Sequence, residues 1–90
     1  MSMVHPQPLR LASQYKLQWE TAQNAYVLLY PEGLIKLTGS AGEILKRIDG
    51  KTSAPDIINA LEASYPGVDL KQDVIDFLEH AHNKGWITRD

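Results

Sequence analysis

There is no cysteine among the 90 residues. That excludes disulfides, thiolate metal sites and cysteine nucleophiles, and it is compatible with a reducing cytoplasm. No apolar run approaches the roughly 20 residues that cross a bilayer. The N-terminus lacks the basic-then-apolar order of a secretory signal, so neither a membrane nor an export route is expected. Basic charge is also short: Lys and Arg total 9 against 11 Asp and Glu, a net charge of −2. The chain as a whole therefore does not attract nucleic acid or an anionic membrane. Gly39 and Gly42 flank a helix start but lack the lysine pattern of a phosphate loop. His80 and His82 stand two apart on a predicted helix, so their side chains diverge by roughly 160° of arc. A helical zinc pair needs a spacing near four, and His5 lies far off in the N-terminal stretch. Neither a metal nor a cofactor is expected, and no residue set reads as catalytic.

The rest is an ordinary globular mix, 43% hydrophobic and 22% charged, long enough for one domain with one modest core. Residues 1–12 carry Pro6 and Pro8 and no sustained period, and read as an extended tail. Residues 13–90 read as the domain. Tyr15 to Glu20 alternates, with Tyr15, Leu17 and Trp19 on one face and Lys16, Gln18 and Glu20 on the other, a half-buried strand with a wet outer side. Thr21 to Asn24 turns the chain. Ala25 to Leu37 then reads as a β-hairpin. Tyr26–Tyr30 is a continuous β-forming run, Pro31 presets a turn, and Gly33 suits a left-handed position that closes the hairpin with a bulge. The simplest sheet is a three-stranded antiparallel meander. One of its edges is the charged Tyr15–Glu20 strand. The other is Leu34, Ile35, Lys36 and Leu37, with a single charge. Edges are usually blunted by charge, proline or bulges. A bare one is covered by the protein itself, used by a partner, or a liability.

Three helices follow. Ser40 to Glu43 fits a capping box, Ala41, Ile44, Leu45 and Ile48 make its apolar stripe, and Gly50 fits the position past its end. Ser53 starts the second helix with Pro55 in the first turn; Ile57, Ile58, Leu61 and Tyr65 bury one face, and Pro66-Gly67 stops it. Asp69 to Gln72 caps the third, which runs to about Lys84. Gly85 terminates it, with Trp86 folded back over Ala81. On this helix Leu70, Val74, Phe77 and Ala81 form one column, sufficient for docking. Lys71, Ile75, Leu78 and His82 form the neighbouring one, either the flank of the core or the wall of a groove. The groove reading expects Ile75 to be substantially exposed in the free monomer. Asp69, Asp73, Asp76 and Glu79 decorate the same helix as a solvated face that could also attract a basic peptide or enzyme surface. The helix pair joined by Asp49 to Thr52 has the outline of a DNA-binding helix-turn-helix. Its second helix, Ser53–Tyr65, holds Asp56 and Glu62 and no lysine or arginine, so it repels phosphate.

Taken together, Tyr15 to Glu20, Gln23-Asn24-Ala25-Tyr26, Tyr30-Pro31-Glu32-Gly33, Ser40 with Glu43 to Arg47, and Asp49-Gly50 closely resemble the PqqD family of pyrroloquinoline quinone biosynthesis. The resemblance covers roughly Leu9 to Ile87. One departure is Ser13-Gln14 before the first strand, where Pro-Gly is expected. The resemblance implies an α+β, winged-helix-like fold, a three-stranded antiparallel sheet followed by a three-helix bundle. It implies a peptide chaperone with no catalytic residues or cofactor of its own. Such a protein binds the precursor peptide PqqA and presents it to the radical-SAM enzyme PqqE, which cross-links a glutamate and a tyrosine of the peptide. In related recognition domains the peptide adds as a strand beside the third strand and packs on the third helix. That maps the peptide site onto Leu34, Ile35, Lys36 and Leu37 with Lys71, Ile75, Leu78 and His82. The rival from the residues alone is a homodimeric interaction module built on the same edge or on the proline-bearing tail.

Overall fold

The computed structural model describes residues 7–89. In chain order the elements are β1 (Leu9–Leu11), β2 (Lys16–Glu20), a 3-10 turn (Thr21–Gln23), β3 (Ala25–Tyr30), β4 (Gly33–Lys36), α1 (Ala41–Leu45), α2 (Ala54–Ser64), α3 (Lys71–Asn83) and β5 (Ile87–Arg89). The α+β reading holds: β2, β3 and β4 form an antiparallel meander in that order, and three helices follow.

The sheet register follows the alternation of β2. Leu17 lies opposite Leu28 and Trp19 opposite Tyr26. On the other side Leu28 pairs with Ile35 and Tyr30 with Gly33. Pairing from Tyr30–Gly33 to Val27–Lys36 is uninterrupted, so the bulge expected at Gly33 is absent. Pro31 and Glu32 make a two-residue loop, and Gly33 takes a positive φ of 156°, which L side chains rarely adopt.

Residues 9–11 do more than the expected tail. They form β1, antiparallel to β5, with Leu9 opposite Arg89 and Leu11 opposite Ile87. The ribbon is tied to the α1–α2 connection: Leu9 N–H donates to Thr52 O at 3.0 Å, and Gly50 N–H donates to Leu9 O at 2.9 Å. Leu9 and Ile87 are buried in the common core. Residues 1–6, the remainder of that stretch with Pro6, lie outside the described residues, as does Asp90.

Helix ends show where local rules won. Ser53 and Asp56 form a reciprocal capping box, each bond 3.4 Å, with Pro55 in the first turn. At Ser40 the expected box is missing. Its backbone is already helical (φ −86°, ψ 0°), while Ala41 N–H donates to Thr38 O at 3.2 Å. Glu43 turns instead to Arg47 at 3.2 Å and Lys46 at 3.5 Å. The helix stops at Leu45, and Arg47 Nη1 donates to the Glu43 carbonyl at 2.8 Å, satisfying a group the helix end would leave bare. α3 ends as its sequence dictates. Gly85 adopts φ 79°, its N–H donates to His82 O, and Trp86 N–H donates to Ala81 O at 2.9 Å, the paired bonds of a Schellman motif. Trp86 is thereby laid edge-on against His80, ring centroids 5.4 Å apart.

The core gathers Leu28 and Leu37 from the sheet side, Ile44 and Leu45 from α1, Ile57 and Leu61 from α2, and Val74, Ile75, Leu78 and Ala81 from α3. Here a second expectation is corrected. Ile75 is only 8% exposed, and Leu78 is completely buried. α2 and β5 pack on α3, and both Ile75 and Leu78 join the common core beside Val74 and Ala81, so the flank expected to stay open is core. The half-exposed apolar residues of α3 are Phe77 and, just before its start, Leu70, both from the column assigned to docking.

Candidate functional site

β4 borders the sheet, and among the described residues no strand pairs with its outer side. Its phase is fixed by one bond: Leu37 N–H donates to Tyr26 O at 3.0 Å. Antiparallel ladders alternate bonded and non-bonded pairs. Stepping by two from Tyr26–Leu37 makes Leu28–Ile35 and Tyr30–Gly33 bonded pairs, given the observed register. Ile35 therefore turns its N–H and C=O inward to β3, whereas Leu34 and Lys36 turn theirs outward. Side chains follow the same alternation. Leu37 is buried and Ile35 packs against the core, while Lys36 is exposed and Leu34 is 52% exposed. The edge thus offers a row of backbone donors and acceptors beside one bare leucine, on a strand anchored from beneath.

The opposite border differs. β2 exposes Lys16 and carries Gln18 and Glu20, joined by a Gln18 Nε2 to Glu20 Oε1 hydrogen bond of 2.7 Å. Its charges discourage strand pairing, although Trp19 on the same strand is 48% exposed.

The four sequence-predicted residues of α3 do not join the edge as an open wall. Ile75 and Leu78 are core. Lys71 is exposed and lines a shallow hollow with Pro55, Ile58, Asn59 and Glu62 of α2. His82 is half-buried in the last turn, where its carbonyl receives the Gly85 N–H. The four strand residues stand together; the four helix residues are divided between core, α2 side and helix end.

A hollow of about 380 Å³ adjoins the C-terminal end of β4. Lys36 and Leu37 line it with Trp19, Asn24, Tyr26 and Gly42. Trp19 meets Tyr26 edge-on, with ring centroids 5.0 Å apart. Gly42 lets α1 lie directly on Tyr26, since a Cβ there would stand 2.5 Å from a ring carbon. Asn24 closes the 3-10 turn in the left-handed region at φ 51°, which asparagine tolerates better than most residues. Gln23-Asn24-Ala25-Tyr26 thus shapes the surface at the end of the open edge. Its signal in the sequence was the motif itself, to which composition and period assign no role.

The carboxyl held below its usual range is Asp49, in the α1–α2 connection. It accepts the Lys51 N–H, the larger effect, and is lowered further by Thr52; both backbone N–H groups lie 2.9 Å from Asp49 Oδ1. Among the described residues no group of His, Asp and Glu is placed to hold a metal ion. Nor is any helix among them long and apolar enough to cross a membrane.

The family model for Coenzyme PQQ synthesis protein D (PqqD) matches residues 25–87, from β3 to the start of β5. The chain belongs to the PqqD family. A relative from Acinetobacter baylyi named PqqA binding protein is 51% identical over 74 residues, covering 81% of this chain and 75% of its own. Another of that name, from Azotobacter vinelandii, is 46% identical over 79 residues, 87% and 86% of the two chains. Among solved structures, the PqqD part of Methylobacterium extorquens PqqCD superposes with a TM-score of 0.74 at 26% identity, covering 90% of this chain and 88% of that one. It is described as a functional, stand-alone recognition element for ribosomally synthesized, post-translationally modified peptides. PqqD from Xanthomonas campestris matches with a TM-score of 0.53 at 30% identity over 82% and 84% of the two chains. The span matched by the family model contains the open β4 edge and all three helices.

Proposed function

We propose that this protein is a peptide chaperone of pyrroloquinoline quinone biosynthesis. It binds the precursor peptide PqqA as a fourth strand along Leu34–Leu37 and presents it, in the cytoplasm, to the radical-SAM enzyme PqqE. The chemistry belongs to the enzyme; this chain contributes binding and orientation and uses no cofactor of its own. The supporting observation is the phase of β4. Leu34 and Lys36 direct their backbone groups away from the sheet, and strand addition draws its affinity from such groups. Relatives named PqqA binding protein supply the peptide's identity. Leu34 gives the added strand an apolar side chain to cover, and Ile35 and Leu37 hold the edge in place from the core side. Ile75 and Leu78 act from inside, by holding α3 in the common core. Lys71 and His82 are the members of that flank with surface left to touch a peptide.

Isothermal titration with PqqA, read together with amide chemical shifts, tests the reading. Binding with the largest shifts at Leu34 and Lys36 is expected. Absence of heat and of shifts at high peptide concentration would sink it. The same edge suits one other occupant, the β4 of a second copy, giving a homodimer. Light scattering separates the two: a dimer that persists on dilution and takes no peptide favours the second.

A further inference from the structure

The phase of β4 also decides which of its side chains an added strand meets. Leu34 and Lys36 turn their backbone groups outward, and their side chains share one face of the sheet. That face is turned away from the helices. On the opposite face Leu17, Leu28, Tyr26 and Ile35 belong to the common core or pack against it, whereas Val27, Leu29 and Leu34 do not. Two cross-strand rows run over the outer face. One is Lys16, Leu29 and Leu34; the other is Gln18, Val27 and Lys36. Each has a covered middle, with Leu29 half-buried and Val27 completely buried. Each ends at β4 in an exposed side chain, a leucine in one row and a lysine in the other. Gln18, at the far end of the second row, is tied to Glu20. Among the described residues Lys36 forms no ion pair.

A strand added beside β4 lengthens both rows by one residue. The residues that come to lie beside Leu34 and Lys36 are two apart in that strand, whichever way it runs, and their side chains stand on the outer face. The residue between them lies beside Ile35 and turns to the helix side. Apolar and opposite-charge neighbours across strands stabilise a sheet, and like charges face to face destabilise it. Resting on the reading above, in which the peptide occupies β4, we infer that Leu34 and Lys36 select the peptide on the outer face of the sheet. They take a strand that carries an apolar and an acidic residue two apart, the apolar one on Leu34 and the acid on Lys36. Backbone bonds accept any sequence, so this pair supplies the register. A slip of one residue turns both side chains to the helix side, and a slip of two takes the acid off the lysine.

The test titrates PqqA into the full chain and into Lys36→Glu and Leu34→Ala. Both side chains are exposed, and circular dichroism confirms that the variants keep the fold. Reversing the charge at Lys36 is expected to weaken binding about fivefold or more, and by less as salt is raised. Each acidic residue of PqqA is then replaced by lysine in turn. One of these peptides is expected to bind the parent poorly and to recover its affinity on Lys36→Glu. An apolar residue two positions from that acid is expected to couple to Leu34, so that its alanine variant and Leu34→Ala together weaken binding by less than the product of their separate effects. Unchanged affinity of Lys36→Glu overturns the inference. So does a loss that no lysine-substituted peptide recovers, or a partner of Leu34 at any other spacing. Lys36→Pro keeps the two readings apart. If it binds PqqA normally, strand addition at β4 fails and selection on the outer face fails with it. If it abolishes binding while Lys36→Glu leaves affinity intact, strand addition stands and the selection alone falls.

Discussion

β4 and the inner flank of α3 are chemically alike: Leu34, Ile35, Lys36 and Leu37 on one, Lys71, Ile75, Leu78 and His82 on the other. Aliphatic residues with a lysine can wall a groove equally well in either place. The structure treats them oppositely. Among the described residues no strand pairs with the outer side of β4 and its leucine is bare, whereas Ile75 and Leu78 are sealed into the core. The difference comes from how each element is satisfied. A helix bonds its own backbone, so its apolar side chains are free to be buried wherever neighbours close in. A border strand is satisfied on one side only, and no packing beneath it supplies partners for the other. Availability at β4 is therefore a backbone property that side-chain burial does not remove.

The strongest way to break the contrast is to place a charge on the sealed flank. Ile75→Glu is expected to cost about 3–5 kcal/mol and to lower the thermal midpoint sharply, because a carboxylate would be buried without a partner. A variant that melts like the parent would show that the flank opens after all. Ile35→Pro comes next. It removes an inward donor from the ladder and a side chain packed on the core, a loss of about 2–4 kcal/mol in urea unfolding. Lys36→Pro, one residue on, removes an outward donor only. Stability should stay within about 1 kcal/mol of the parent while PqqA affinity falls tenfold or more. A reversal of the two proline effects would mean that the phase assigned to β4 is wrong. The smallest effect lies at Asp49, in the α1–α2 connection that holds β1. Its folded carboxyl is held below the usual range by the Lys51 and Thr52 N–H groups. Its stabilising contribution is therefore complete above the ordinary carboxylate pKa and lost as the pH falls through the lowered folded value. The stability gap between parent and Asp49→Ala should be constant near neutrality and shrink in acid. A gap independent of pH would remove the carboxylate's role.

Elements with enough residues to display a period could be read directly. The alternation of Tyr15 to Glu20 predicted β2 but not its burial, since Trp19 is 48% exposed while Gln18 and Glu20 are half-buried; Gly85-Trp86 predicted the end of α3 down to the folded-back tryptophan. β1 could not be read this way. Three residues show no period, Pro6 and Pro8 precede them, and their partners in β5 lie at the far end of the chain. The Ser40 box matched in composition but lost to the Thr38–Ala41 turn bond and to Arg47, neither of which a four-residue motif contains. On α3 the periodicity correctly gave two adjacent apolar columns. How far each is buried depends on how α3 is set against α2 and β5, a tertiary quantity. The open strand was legible because only its neighbours in sequence had to be weighed; the phase of its hydrogen bonds needed the Tyr26–Leu37 contact.

The pairing of Leu9 with Arg89 has a consequence for how this domain can be wired to others. Cross-strand partners sit about 5 Å apart, so the chain enters and leaves the fold at nearly one point. A neighbour joined before β1 and one joined after β5 would hang from the same corner of the molecule. Bridging that corner with a short linker and cutting the chain at the exposed Pro66-Gly67 turn would give a circular permutant that keeps every strand pairing, the β4 edge included.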